Sequence, residues 1–275
     1  MTTALLDQDL ASLALLAVVQ GLTEFLPVSS TGHLVLAQAA LGWEEPALAL
    51  DVALHLGTLV AVLLVYRTEA VGVVRELFAG RPRELLQLVV GSIPAAVVGI
   101  GLGDEIEGAF HGPRVAGLGL LVTAVVLLVG EWARRRNRRR AGEPAAALET
   151  ADTAPLGWGI VLAIGLAQAV AIWPGVSRSG STIAIGLLCG LRSYSAARFS
   201  FLLSIPAIAG ASMLHLPRAF GEEVGAGSAS LVLAMLLAAA VGWVALRLLL
   251  SSLGRGAFAW FAVYCAVLGA LALVR

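Results

Sequence analysis

The chain has little charge, few cysteines and no lysine. Only 13% of its 275 residues are charged, 59% are hydrophobic, and the mean hydropathy is +0.91. A soluble domain of this length needs more polar surface, so the composition points to a polytopic membrane protein. Eighteen basic residues, every one an arginine, balance eighteen acidic ones. Zero net charge argues against a nucleic-acid partner, and we read the all-arginine choice as base-composition bias rather than mechanism. Cys189 and Cys265 lie in apolar helical sequence with no CxxC and no neighbouring histidine. That pattern argues against a disulfide or a metal pair and predicts two buried, inert thiols. Asp7 and Asp9 stand where a signal peptide would have its basic region, and no small-residue cleavage site follows, so none is expected. Gly99-Ile100-Gly101-Leu102-Gly103 lacks the flanking strand of a dinucleotide fingerprint. That run and Gly186 to Gly190 have the spacing of close helix packing.

What is present is apolar length. Runs of about twenty residues, enough to cross a core of about 30 Å, cover Leu48 to Tyr66, Leu85 to Leu102, Val115 to Trp132, Arg198 to Leu216, Ser228 to Leu250 and Ala257 to Val274. These predict six transmembrane helices. Arg67, Arg75, Arg81 and Arg83 follow the first run, and Arg134, Arg135, Arg136, Arg138, Arg139 and Arg140 follow the third. Cytoplasmic loops retain positive charge, so both loops are expected inside. The loops with Asp104, Glu105, Glu107 and Arg114, and with Arg218, Glu222 and Glu223, are expected outside, with both termini. The Arg-rich segment could also touch anionic lipid, but fixing topology is the simpler role.

Two more apolar stretches, Leu10 to Leu41 and Leu156 to Leu191, are broken by polar loops: Pro27-Val28-Ser29-Ser30-Thr31-Gly32-His33, and Pro174-Gly175-Val176-Ser177-Arg178-Ser179-Gly180-Ser181-Thr182. Each arm is too short to cross, so each stretch reads as a re-entrant hairpin, one entering from outside and the other from the cytoplasm. A shift of 148 residues pairs Gln20 with Gln168, Val28 with Val176, Ser29 with Ser177, Ser30 with Arg178, Thr31 with Ser179 and Gly32 with Gly180. The expected fold is therefore an all-α inverted-topology repeat. It has a first half over residues 1–133, an Arg-rich cytoplasmic linker over 134–156 and an inverted second half over 157–275. Ser92-Ile93-Pro94-Ala95 and Ser204-Ile205-Pro206-Ala207 do not fit this shift and read as coincidence or as two proline kinks.

Glu24 and Arg178 sit where hydropathy calls for hydrocarbon, at a cost of roughly 3 kcal/mol each on insertion scales. Gln20 and Glu24, four apart, share a helix face directed at one point. Ser29, Ser30 and Thr31 supply hydroxyls, and Gly32 lets backbone N–H groups come close to a ligand. Ser177, Ser179, Gly180 and Ser181 surround the Arg178 guanidinium, whose planar fork suits phosphate oxygens. This is an oxyanion site beside one carboxylate. A carboxylate repels a merely bound anion, but it suits phosphoryl transfer as a general base or metal ligand. Plainer readings remain for these residues. Hydroxyls in membrane helices often bridge neighbours, and Glu24 and Arg178 could form a structural salt bridge. His33 could shuttle protons or turn away from the site. Asp51 and His55, at i and i+4, read as an interfacial cap.

At these loops the sequence resembles the undecaprenyl-diphosphate phosphatases, or bacitracin-resistance proteins. Gln20 to His33 is similar to that family's Glu/Gln-xxx-Glu segment and PVSSTGH loop, and Pro174 to Gly180 to its PGxSRSG motif. The resemblance implies a plasma-membrane enzyme that hydrolyses the terminal phosphate of undecaprenyl diphosphate on the outer side, recycling the carrier lipid for peptidoglycan. It implies two opposed re-entrant hairpins and a divalent cation, Mg²⁺ or Ca²⁺. It assigns catalytic roles to Glu24, Ser30, His33 and Arg178, substrate contacts to the neighbouring loop residues, and metal ligation to Glu24 and Gln20. Gln20 departs from the glutamate of many members, which leaves the site one charge short and a cation more dependent on substrate phosphates. The nucleophile is either Ser30 or water. Partners are the polyprenyl diphosphate and membrane lipids, with a homodimer left open. The competing reading is a transporter or flippase of an anionic lipid or small anion, since broken helices in inverted repeats also build transporters.

Overall fold

A computed structural model describes residues 10–43, 48–103, 112–141, 155–221, 228–252 and 258–274, and all of its described secondary structure is helical. In chain order the helices are α1 (Leu10–Phe25), α2 (Ser30–Ala40), α3 (Leu48–Val65), α4 (Arg67–Phe78), α5 (Arg83–Gly101), α6 (Pro113–Ala141), α7 (Trp158–Val170), α8 (Arg178–Leu188), α9 (Ser193–Gly221), α10 (Ser228–Ser252) and α11 (Phe258–Val274). Continuous apolar sequence makes helix the natural choice in lipid, because only a helix satisfies its own backbone there.

Four of these, α5, α6, α9 and α10, are long and apolar enough to cross a membrane. The pair α3 and α4, bent by 78° at Tyr66, adds a fifth if it is taken as one span. The chain is thus a multi-pass membrane protein. α11 has 17 residues and is shorter than those four. At 1.5 Å per residue it reaches roughly 25 Å.

Glycine and alanine, rather than large side chains, set the closest approaches, as expected where van der Waals packing and not hydrophobic exclusion joins helices. α6 packs along α11, α10 lies against α1 and α3, and α5 lies against α7. Gly186 meets Ala196 as its spacing suggested, with a built Cβ 2.9 Å away, but Gly101 and Gly103 meet nothing. Gly101 is the last residue of α5 and Gly103 lies just beyond it. A close contact on α5 instead comes at Gly91, whose carbonyl lies 2.5 Å from a Cβ built on Gly165. Phe25, Tyr66 and Phe201 fill the centre under the first hairpin, with ring centroids 5.9 and 6.0 Å apart for the Phe25–Phe201 and Tyr66–Phe201 pairs.

Two sequence expectations change, and others fall on residues that are not described. The Arg-rich stretch does not begin a linker at residue 134, because α6 runs on to Ala141. Glu131, one turn earlier, accepts from Arg134 Nε at 2.9 Å and from Arg135 Nε at 2.6 Å, so the basic residues extend the helix. Cys189 is exposed, not buried, because α8 ends at Leu188; Cys265 is fully buried, and both thiols are free. The acidic loop residues Asp104, Glu105, Glu107, Glu222 and Glu223, and Asp7 and Asp9, lie outside the described residues.

Candidate active site

Each broken stretch is a helical hairpin, α1 with α2 and α7 with α8, and the two tips meet. The break in the first comes at Pro27. Ser29 follows with φ +69°, the sole positive φ outside glycine among the described residues, a conformation that costs a β-carbon-bearing residue about 1–2 kcal/mol. Both loops then restart a helix in the same way. Ser29 Oγ accepts from Gly32 N–H at 3.3 Å, and Ser177 Oγ accepts from Gly180 N–H at 3.0 Å, each serine capping the helix after it. The tips approach backbone to backbone: a Cβ on Gly32 would stand 2.9 Å from Gly175 Cα. Ser179 Oγ donates to the Leu26 carbonyl at 3.3 Å, a bond from one hairpin to the other.

At this junction the charges converge. Glu24 Oε2 accepts from Ser30 Oγ at 2.6 Å and from Gln20 Nε2 at 3.1 Å, while Glu24 Oε1 accepts from Arg178 Nη2 at 2.5 Å. The side chains of Glu24 and Arg178 are 6% and 15% exposed. A buried pair of this kind resolves much of the cost of either charge alone, so the salt bridge considered from sequence does form, and it forms within the cluster of hydroxyls. Arg178 Nη1 and Gln20 Oε1 are buried without a hydrogen-bond partner. The site therefore retains one guanidinium donor and one amide acceptor beyond those its own bonds use. The N-termini of α2 and α8 bring partial positive charge to the same place.

Not every site residue named from sequence points at Glu24. His33 has Nδ1 2.7 Å from the Ser29 carbonyl and Nε2 2.7 Å from Tyr264 Oη, so its ring is engaged toward α11. Thr31 Oγ1 and Ser29 Oγ share a hydrogen bond at 3.2 Å, as do Ser177 Oγ and Ser179 Oγ at 3.3 Å. Ser181 is buried, with its N–H on the Ser177 carbonyl at 2.9 Å.

Two residues come to the site that the sequence reading did not put there. His55, read as part of an interfacial cap, turns Nε2 toward Glu24 Oε2 at 3.8 Å, with Nδ1 held by the Asp51 carbonyl at 2.7 Å. Asp51 in turn accepts from Gln38 Nε2 at 3.0 Å, which ties α2 to α3. Asp51 does lie in the first turn of α3, but His55 is drawn to the site because α3 packs against α1, which carries Glu24. An ionisable residue inside an apolar run was the available signal. Thr123 on α6 donates to the Gly175 carbonyl at 2.8 Å and accepts from Ser177 N–H at 2.9 Å, clipping the loop that presents Arg178. A lone threonine in an apolar helix gave no sequence signal.

Among the described residues no group of three His, Cys, Asp or Glu side chains is placed to hold a metal ion. Glu24 and the unpartnered Gln20 Oε1 are the oxygen donors that suit a hard divalent cation, and such a pair fits one that takes further oxygens from a phosphate ligand.

Comparison with known proteins agrees with the motifs. The model of the family "Bacitracin resistance protein BacA" matches residues 13–271. An undecaprenyl-diphosphatase of Rubrobacter xylanophilus is 42% identical over 276 residues, covering 96% of this chain and 97% of the relative. Undecaprenyl-diphosphatases of Desulforapulum autotrophicum and Desulfosudis oleivorans are 40% and 42% identical, each over 94% of this chain and 95% of the relative. With both loop motifs inside the matched region and near-complete coverage on both sides, the chain belongs to the bacitracin-resistance protein BacA family.

Proposed function

We propose that the protein is an undecaprenyl-diphosphate phosphatase, an integral membrane hydrolase that releases inorganic phosphate and returns undecaprenyl phosphate for cell-wall synthesis, so that extra enzyme confers bacitracin resistance. The observation that carries this reading is one carboxylate, Glu24, bonded at once to a hydroxyl and to a guanidinium at the meeting of two broken helices. Family membership supports it. A carboxylate beside the arginine would repel an anion that is merely carried, whereas hydrolysis can use it as a base.

In the mechanism the terminal phosphoryl group lies at Arg178, whose Nη1 and Nη2 neutralise charge that develops on the equatorial oxygens. The guanidinium exchanges Glu24 for phosphate, which frees the carboxylate as a base. Glu24 takes the Ser30 proton, Oγ attacks the terminal phosphorus, and the bond to the bridging oxygen breaks with undecaprenyl phosphate as leaving group. Water then hydrolyses the phosphoserine to return Ser30 and phosphate. In the variant with water as nucleophile, Glu24 deprotonates water and Ser30 only orients the carboxylate. Glu24 and Gln20 would hold Mg²⁺ or Ca²⁺, which supplies charge neutralisation on the diphosphate. Ser29, Thr31, Gly32, Ser177, Ser179, Gly180 and Ser181 shape the loops that receive the phosphates, and His33 is the reserve acid or base.

In this reading six spans, with α11 as the sixth, and two opposed hairpins form two inverted halves. The termini and the site's opening lie on the outer side of the plasma membrane. The Arg clusters at α4, at the start of α5 and at the end of α6 support that orientation.

The test is phosphate release by purified protein in detergent from a long-chain polyprenyl diphosphate, with and without chelator, for wild type, Glu24→Gln and Arg178→Ala. Chelator-sensitive release lost in both variants is expected. Folded wild type that binds the lipid and releases no phosphate would overturn the reading in favour of transport.

A further inference from the structure

Tyr264 has no place in the chemistry above, yet its hydroxyl lies 2.7 Å from His33 Nε2, and its ring stacks on the imidazole with centroids 5.6 Å apart and planes 10° from parallel. The two residues come from opposite ends of the chain, α2 and α11. The partner of the other ring nitrogen fixes the polarity of the bond. The Ser29 carbonyl at 2.7 Å can only accept, so Nδ1 carries a hydrogen. In the neutral ring Nε2 is then a bare acceptor, and the phenol donates to it. One nitrogen is thus tied to the strained loop residue and the other to α11, with the phenol ring parallel to the imidazole and offset from it.

Tyr264 is 47% exposed and lies on the exposed face of α11 with Trp260, Val263, Val267 and Leu271, at helical spacing. His33 itself is only half-buried. Without the phenol hydroxyl, the Nδ1 bond to the Ser29 carbonyl is, among the described residues, the one hydrogen bond left to hold the ring at the loop. We propose that Tyr264 is the positioning residue for His33: it donates to Nε2 of the tautomer that the Ser29 carbonyl sets and so holds the ring against the Ser29 loop at the edge of the active site. The inference rests on the phosphatase reading and on a working role for His33.

A double-mutant cycle with polyprenyl diphosphate tests it, using wild type, Tyr264→Phe, His33→Ala and the combined variant. Tyr264→Phe keeps the ring and its packing and removes only the hydroxyl, so the fold is preserved. It is expected to lower kcat roughly threefold to tenfold, the worth of one lost hydrogen bond, with KM little changed. In the His33→Ala background the same substitution is expected to have no further effect. A second readout is independent of turnover: ¹⁵N shifts of histidine-labelled protein in detergent, where the His33 signal among the chain's four histidines is identified by its loss in the His33→Ala variant. Wild type should show a protonated Nδ1 and a hydrogen-bonded, unprotonated Nε2 for His33, and Tyr264→Phe should move the Nε2 signal. Equal loss from Tyr264→Phe with and without His33, or an unmoved Nε2 signal, would overturn the proposal. Wild-type turnover in the same assay stands or falls separately and judges the phosphatase reading itself.

Discussion

At the residue scale, Glu24 is the hub: its two oxygens meet Ser30, Gln20, Arg178 and His55 within 3.8 Å. Removing its charge should be the most damaging isosteric change in the molecule. Glu24→Gln is expected to lower kcat by at least about 100-fold, read as phosphate release. Its fold should survive better than that of Arg178→Ala, which leaves a buried carboxylate without its guanidinium at a cost of roughly 3–5 kcal/mol. Ser30→Ala separates the two nucleophiles. Loss of turnover by more than about 100-fold, together with loss of a trappable phosphoserine from quenched wild type, is expected if Ser30 attacks. A drop of a few fold with no phosphoserine in wild type would leave water as the nucleophile. His55→Gln, which keeps a polar side chain of similar reach, should reduce kcat by a smaller factor, about tenfold, because it removes a contact to the base and not the base itself. Glu24 and Arg178 stood out in the sequence because ionisable groups in an apolar run demand a reason, and Ser30 because its polar loop interrupts such a run. The role of His55 did not, because its contact spans 31 positions and nothing local predicts which face of α3 meets α1.

At the scale of elements, the two hairpins depend on packing that tolerates no side chain. A Cβ on Gly119 would collide with the Pro174 carbonyl, and one on Gly175 with the Ala116 carbonyl, while Gly175 also has φ +85°. Gly175→Ala therefore combines backbone strain with overlap. It should cost at least about 3 kcal/mol, seen as a large drop in thermal unfolding temperature in detergent. Thr123 shows the same loop held by hydrogen bonds. Thr123→Val, equal in shape, leaves the Ser177 N–H and the Gly175 carbonyl unpaired and should cost about 1–3 kcal/mol, while Thr123→Ser should restore most of that stability. If the two variants unfold together, the clip has no energetic part. The apolar helices and the two breaks could be read from the sequence, because hydropathy is local, whereas the serine caps and α4, which stands where a cytoplasmic loop was expected, were not. The extension of α6 through the arginines was missed because its support, Glu131 pairing at i+3 and i+4, works only once the helix has formed.

At the scale of the whole molecule, the site exists only where two distant hairpins touch, and its residues come from positions 20 to 55 and 123 to 181. A protein built this way in the membrane should show coupling between its halves. Ser179 Oγ on the Leu26 carbonyl and Gly32 on Gly175 are direct contacts across the junction. A bulky change at Gly32 is therefore expected to damage turnover as severely as loss of Arg178, although it removes no chemical group. Turnover of Gly32→Val within a few fold of wild type would show that the tips need not touch. The closed Glu24–Arg178 pair also implies that an anion competes with Glu24 for the guanidinium. A non-hydrolysable diphosphate lipid should accordingly raise the melting temperature of wild type and have less effect on Arg178→Ala.

The sequence by itself determined that this chain lives in a membrane, where its apolar runs break, and which polar and ionisable groups fall inside them. Those properties follow from hydropathy, backbone satisfaction and the cost of a charge in lipid, all of which act over a few residues. Only the tertiary structure decided that Glu24 faces Ser30, Arg178 and His55 together, that Thr123 clips the arginine loop, and that His33 turns to Tyr264. Such meetings depend on which small residues let two backbones approach and at what rotation, and no local rule carries that information along the chain.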